Sequence, residues 1–232
     1  MAESCLLYYI TDRTAFFGEE QARRRSLLDK IAEAATHGVD YIQLREKDLS
    51  ARELERLARE AMNIVQQIRI KNQTLKTALL INSRADVAIA VGANGVHLRT
   101  SDLSAEEVRC AWRGKCGVGA IPEGSGIREI SPKDPLIAVS CHTLQEVARA
   151  EATHASFAVF APVFEKKDTS GITPAGLKAL RGACRAKIPI FALGGVTLEN
   201  AKSCLEAGAA GIAGIRIFQE NNISSLVRGL RR

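Results

Sequence analysis

The chain has 232 residues, of which 46% are hydrophobic and 25% charged. This is enough apolar material for a sizeable core, and it argues against a disordered chain. No apolar run approaches the roughly 18 residues that a membrane-spanning helix needs, so no membrane association is expected. The formal charge of +6 and pI near 9.1 favour anionic ligands. Nucleic acid is not expected among them, because the densest basic runs, Arg23-Arg24-Arg25 and Arg231-Arg232, carry no interleaved aromatics. The six cysteines (Cys5, Cys110, Cys116, Cys141, Cys184 and Cys204) are scattered without a C-x-x-C pair. They read as reduced thiols of a cytoplasmic protein, and the N-terminus lacks a basic leader.

In chain order, short apolar strands alternate with amphipathic segments. The first strand, Leu6–Ile10, leads into Thr11-Asp12-Arg13, and the second, Tyr41–Leu44, into Arg45-Glu46-Lys47. A helix follows, opened by Ser50 with Glu53 in a capping box and striped by Leu54, Leu57, Ala58, Ala61, Ile64, Val65 and Ile68. The third strand, Ala78–Ile81, meets Asn82-Ser83-Arg84, and the fourth, Gly95–Leu98, meets Arg99-Thr100-Ser101-Asp102. Ser104 with Glu107 caps the next helix. Residues 113–135 are rich in Gly and Pro and read as an insertion before the fifth strand, with a short extra strand at 116–120. The fifth strand, Leu136–Ser140, runs into Cys141-His142, and Thr143 with Glu146 caps the helix after it. The sixth, Phe157–Phe160, precedes the loop Glu165-Lys166-Lys167-Asp168-Thr169, and Thr173-Pro174 reads as a helix start. The seventh strand, Ile190–Leu193, ends in Gly194-Gly195, and the eighth, Gly211–Ile215, in Arg216.

One junction recurs. His37-Gly38-Val39-Asp40-Tyr41-Ile42 resembles Val91-Gly92-Ala93-Asn94-Gly95-Val96 and Ala207-Gly208-Ala209-Ala210-Gly211-Ile212, with a copy lacking glycine at His154-Ala155-Ser156-Phe157. Apart from that missing glycine, each reads as a helix end, a glycine suited to the left-handed position after it, then a short apolar strand. Positions 38, 92, 154 and 208 are spaced at about twice the length of one βα unit, so they mark alternate strands. Four alternate strands imply eight. The expected fold is α/β, a single (β/α)8 TIM barrel over residues 1–232, with a doubly wound open sheet as the alternative.

Barrel chemistry gathers on the loops after the strands. Strand alternation would put Gln43, Arg45 and Lys47 on one face, where two cations and an amide suit phosphate; a strand end laced with salt bridges is the competing reading. Gly194-Gly195, with amides near Thr197, suits close approach to a phosphate or simply a turn. Asp102, near Asn82 in barrel order, suits Mg²⁺ or a helix-cap role. His142 is placed to move a proton, while His97 inside the strand pattern reads as a packed imidazole.

Tyr9-Ile10-Thr11-Asp12, Gln43-Leu44-Arg45-Glu46-Lys47, Ile81-Asn82-Ser83-Arg84-Ala85-Asp86-Val87-Ala88, Gly95-Val96-His97-Leu98, Ser140-Cys141-His142-Thr143 and Ala192-Leu193-Gly194-Gly195-Val196 together resemble the thiamine phosphate synthase/TenI family. The resemblance implies a transferase that joins hydroxymethylpyrimidine diphosphate to thiazole phosphate, giving thiamine phosphate and pyrophosphate. It implies that Gln43, Arg45 and Lys47, within the segment that also holds Leu44 and Glu46, grip the diphosphate beside Asn82. Asp102 would hold Mg²⁺, with Ser83 at the second metal position, and Ser140 would contact the pyrimidine. Gly194, Gly195 and the amides of Ile215 and Arg216 would cradle the thiazole phosphate. Arg45, Lys47, Ser140 and His142 are the candidate catalytic residues, and a homo-oligomer is expected by analogy.

This sequence departs from the family pattern in four places. Ser83 replaces a metal-binding Asp, and Arg99-Thr100 replaces a Gly-Gln pair. Lys166-Lys167-Asp168-Thr169 replaces a T-x-T-K loop, and Arg216 replaces a serine. Lys166, Lys167 and Arg216 are expected to compensate by charge. The alternatives are a TenI-like thiazole tautomerase, in which His142 matches one of two histidines and Asn94 stands near the other, and a non-catalytic binder of thiazole phosphate or thiamine phosphate.

Overall fold

The computed structural model describes residues 5–114, 134–165 and 173–231. Eight parallel strands follow one another round a closed barrel: β1 (Leu6–Ile10), β2 (Tyr41–Leu44), β3 (Ala78–Asn82), β4 (Gly95–Leu98), β5 (Leu136–Cys141), β6 (Phe157–Phe160), β7 (Ile190–Ala192) and β8 (Gly211–Gly214). Closure is explicit in the pairing of β1 with both β2 and β8, which rules out the open sheet. The helices are α1 (Glu20–Thr36), α2 (Ala51–Lys71), α3 (Ala85–Val91), α4 (Ala105–Trp112), α5 (Leu144–Ala152), α6 (Gly176–Ala183), α7 (Ala201–Glu206), α8 (Arg216–Gln219) and α9 (Ile223–Leu230). The long connection expected before the fifth strand is the one from Trp112 to Leu136. The extra strand expected at 116–120, and Lys166, Lys167, Asp168 and Thr169, lie outside the described residues.

Strand alternation sorts the side chains into two layers. Leu7, Tyr9, Ile42, Leu44, Leu79, Ile81 and Val96 point outward and pack under the helices. Tyr8, Ile10, Leu80, Ala138, Val159, Phe191 and Ala213 point into the barrel. Tyr41 and Phe157, the first residues of β2 and β6, stack inside with ring centroids 4.9 Å apart, and Phe157 meets Phe191 at the same distance. Aromatic bulk therefore fills the N-terminal half of the interior, and polar inward residues lie at the C-terminal ends of the strands.

The recurring junction has the backbone its sequence implies. Gly38, Gly92 and Gly208 sit at φ 78, 65 and 103°, and the copy without glycine puts His154 at φ 58°. The three capping boxes, Ser50–Glu53, Ser104–Glu107 and Thr143–Glu146, form with both hydrogen bonds.

Two local expectations need correction. β2 stops at Leu44, so Arg45 and Lys47 lie beyond the strand and alternation does not orient them. Thr173-Pro174 does not open a helix, because α6 begins at Gly176. The amides of Ala175 and Gly176 donate instead to the carbonyls of Pro162 and Val163, at 2.9 and 3.1 Å, which ties this stretch to the loop after β6.

Candidate active site

The inward residues at the C-terminal strand ends form two short hydrogen-bonded chains. On β2, Gln43 is only 2% exposed, and its Nε2 donates to Asn82 Oδ1 at the end of β3, 2.8 Å away. Asn82 Nδ2 in turn donates to Ser83 Oγ at 3.3 Å. Gln43 Oε1 is buried without a hydrogen-bond partner among the described residues.

The second chain rises through the barrel from β1. Tyr8 Oη lies 2.8 Å from His97 Nδ1, and His97 Nε2 lies 2.7 Å from Ser140 Oγ on β5. His97 is 3% exposed and stacks on the Tyr8 ring with centroids 5.8 Å apart. Burial, reinforced by the nearby Arg45 charge, pushes its pKa down to about 3, so the ring is neutral. A neutral imidazole donates at one nitrogen and accepts at the other, which matches a hydroxyl at each end. Burial also raises the Tyr8 pKa well above the ordinary phenol value, so both hydroxyl partners stay uncharged. His97 is thus the packed imidazole its strand position suggests, and it also fixes the Ser140 hydroxyl.

The loop after β2 is braced from below. Thr11 Oγ1 donates to Glu46 Oε1 at 2.5 Å and accepts from the Arg45 amide at 2.9 Å. Glu46 Oε2 takes the Arg13 amide at 3.0 Å and Arg13 Nη1 at 3.3 Å. Arg13 also grips Asp48 with both terminal nitrogens, at 2.6 and 2.8 Å, and Glu20 with Nε at 2.7 Å. The side chains of Glu46 and Arg13 are 1% and 5% exposed.

Two members of the expected binding segment therefore serve the scaffold. Leu44 faces the helices, and the Glu46 carboxylate is taken up by Thr11 and Arg13. The half-buried Arg45 is different: among the described residues no carboxylate lies within ion-pair distance of its guanidinium. Lys47 is exposed on the same loop. Thr11 and Arg13 stand among the polar residues that follow the strands but carry no expected role, and Tyr8 reads only as part of the first strand. The only signal available was polar residues directly after an apolar first strand.

The Ser83 hydroxyl hydrogen-bonds the Asp102 carboxylate. Ser83 takes φ 58° and donates its amide to the His97 carbonyl at 2.8 Å, which turns the loop toward β4. Asp102 Oδ1 accepts from Arg99 Nη2 and Nε at 2.9 and 3.2 Å, and Oδ2 from the Arg99 amide at 2.8 Å. Burial works to raise the Asp102 pKa, but the Arg99 amide, the Ser83 hydroxyl and the Arg99 guanidinium outweigh it and hold the carboxyl below the usual aspartate range. Mg²⁺ takes oxygen ligands in near-octahedral geometry, anchored by one or two carboxylates. Here the single carboxylate is hydrogen-bonded on both oxygens, and the second position offers a neutral hydroxyl. Among the described residues no group of three or more His, Cys, Asp and Glu could hold a metal ion. As arranged, these residues do not fit Mg²⁺.

The remaining candidates surround the mouth. His142 is exposed, and its Nδ1 lies 2.7 Å from the Ala161 carbonyl. Gly194 and Gly195 take φ 95 and 64°; a Cβ on Gly195 would fall 2.5 Å from the Glu165 carbonyl oxygen and 2.7 Å from Phe164 Cβ. These glycines are therefore demanded by packing against the loop after β6. The amide near Thr197 is not open to a phosphate, since Asn200 Oδ1 accepts it at 2.8 Å and α7 begins only at Ala201. Ile215 points inward after β8, and the exposed Arg216 opens α8. A cavity of about 220 Å³ lies on the flank, lined by residues that include Arg99, Asp102, Glu146 and Arg149 but not Gln43, Arg45, Asn82 or Ser140.

A family model described as thiamine monophosphate synthase matches residues 7–121 and 123–218. The chain belongs to this family. A relative from Aquifex aeolicus is 35% identical over 215 residues, covering 92% of this chain and 97% of its own. A thiamine-phosphate synthase of Clostridium novyi is 32% identical over 220 residues, covering 93% of this chain and 91% of its own. The thiamine phosphate pyrophosphorylase structure from Pyrococcus furiosus superposes with a TM-score of 0.72 at 26% identity, covering 99% of this chain and 95% of that one. The family thus places thiamine biosynthesis on this barrel, and no helix among the described residues is long and apolar enough to cross a membrane.

Proposed function

We propose that this protein is a thiamine phosphate synthase-type transferase, acting as one barrel domain on two phosphorylated small molecules. In the reaction, the C–O bond between the pyrimidine methylene and its diphosphate breaks, and the electron pair leaves with pyrophosphate. The thiazole nitrogen lone pair forms the new C–N bond, giving the thiazolium of thiamine phosphate. Such a step needs charge opposite the leaving diphosphate and fixed dipoles around the cationic methylene.

The observation that carries this reading is the convergence of an Arg45 free of carboxylate partners among the described residues with a Ser140 hydroxyl fixed by a neutral, buried His97. Arg45, with Lys47, would neutralise the departing diphosphate beside the Gln43–Asn82 pair. Ser140 would contact the pyrimidine. Gly194, Gly195 and the backbone where β8 turns into α8 at Ile215 and Arg216 would receive the thiazole phosphate. A tautomerase using His142 and Asn94 is less well supported: Asn94 Oδ1 accepts the Leu79 amide at 2.9 Å at the N-terminal side of the barrel, the opposite end from His142.

The test is thiamine phosphate formation from the two precursors by the purified protein, with and without added Mg²⁺. Turnover is expected, falling about 100-fold or more in Arg45→Ala and less in Ser140→Ala. Absence of product in the natural protein, with thiazole phosphate binding retained, would overturn the synthase reading and leave a TenI-like or binding role.

A further inference from the structure

The position where this family's pattern has a metal carboxylate holds Ser83, and the carboxylate that remains is already engaged by a cation of the chain itself. Arg99 makes three hydrogen bonds to Asp102, two from the guanidinium to Oδ1 and one from the backbone amide to Oδ2. The two side chains differ in exposure: Asp102 is 11% exposed and Arg99 59%. Only Nε and Nη2 of the guanidinium face Asp102, and among the described residues Nη1 has no partner. The same group can therefore hold the carboxylate on one edge and present N–H donors to a phosphate on the other. A divalent cation on Asp102 would have to displace this guanidinium and then sit beside it, like charge against like charge, with a neutral serine in place of a second anionic ligand.

We propose that Arg99 is the resident cation of the Asp102 site, and that a diphosphate group is received there by the free edge of the Arg99 guanidinium without a metal ion bridging it to Asp102. The diphosphate part rests on the reading of the mouth given above; the occupation of Asp102 by Arg99 does not. Asp102 then acts as a positioning residue that holds the Arg99 fork toward the ligand.

The experiment uses the full chain and two probes, Mn²⁺ alone, followed by the spectroscopic signal of the free ion, and inorganic pyrophosphate alone, followed by calorimetry in metal-free buffer. The natural protein is expected to show no saturable Mn²⁺ binding through the low-millimolar range. The double variant Ser83→Asp with Arg99→Gln should gain a site at least tenfold tighter, lost again when Asp102→Asn is added. Metal-free pyrophosphate binding should weaken about tenfold in Arg99→Gln and less in Arg99→Lys, which keeps the charge without the fork. Thermal unfolding of each variant verifies that it is folded; Arg99 is exposed, so its replacement leaves the core intact. A saturable Mn²⁺ site in the natural protein that Asp102→Asn abolishes would overturn the proposal, as would metal-free pyrophosphate binding indifferent to Arg99→Gln. Loss of coupling activity with both binding results intact would instead remove only the synthase reading.

Discussion

His97 links the barrel core to the site, and its burial makes a pH-dependent prediction. In the unfolded chain its imidazole takes up a proton as pH falls through about 6.5, whereas in the fold burial holds the pKa down to about 3. Within that window the unfolded state binds a proton that the folded state does not, so stability is fully present above pH 6.5 and falls as the solution is acidified. Each pH unit inside the window is worth ~1.4 kcal/mol, and the whole window about 5 kcal/mol. Carboxylates titrate in the same range, so the measurement must be a difference. His97→Gln keeps a donor and an acceptor toward Tyr8 and Ser140 but cannot titrate. At pH 7.5 the variant should be less stable by about 1–3 kcal/mol, from the lost stacking and imperfect hydrogen bonds. In urea unfolding at a series of pH values that deficit should shrink below pH 6.5 and vanish or reverse near pH 4. A deficit that stays constant from pH 7.5 to pH 4 would refute the picture of a buried neutral imidazole.

Two further substitutions test the frame around the mouth. Glu46→Gln leaves Arg13 with one fewer buried anionic partner and weakens the brace on the Arg45 amide through Thr11. It should cost about 2–4 kcal/mol in urea unfolding and also lower pyrophosphate affinity, whereas a loss below about 0.5 kcal/mol would show that the network is dispensable. Gly195→Ala forces a Cβ against the Glu165 carbonyl at a backbone φ of 64°. It should destabilise by about 1–3 kcal/mol and lower the melting temperature by several degrees, and an unchanged melting curve would contradict the close packing there.

Strand positions, the capping boxes and the left-handed turns at Gly38, Gly92 and Gly208 are legible in the chain itself, because each depends on chemistry within a few neighbouring residues. Periodic recurrence of that junction also carried the count of eight strands. The tertiary structure decided what each loop residue does. Ser140 and His97 are 43 residues apart, His97 and Tyr8 89 apart, and Glu46 and Thr11 35 apart, so their meeting depends on barrel register, which no local pattern encodes. Glu46 reads as a member of a binding motif until closure brings Thr11 and Arg13 beneath it. Arg99 and Asp102 are near neighbours in the chain, yet barrel order and the family resemblance point to Asp102 as a metal ligand. Only the turn after β4 brings the Arg99 fork and amide onto both of its oxygens, and that geometry changes the chemistry the site can support.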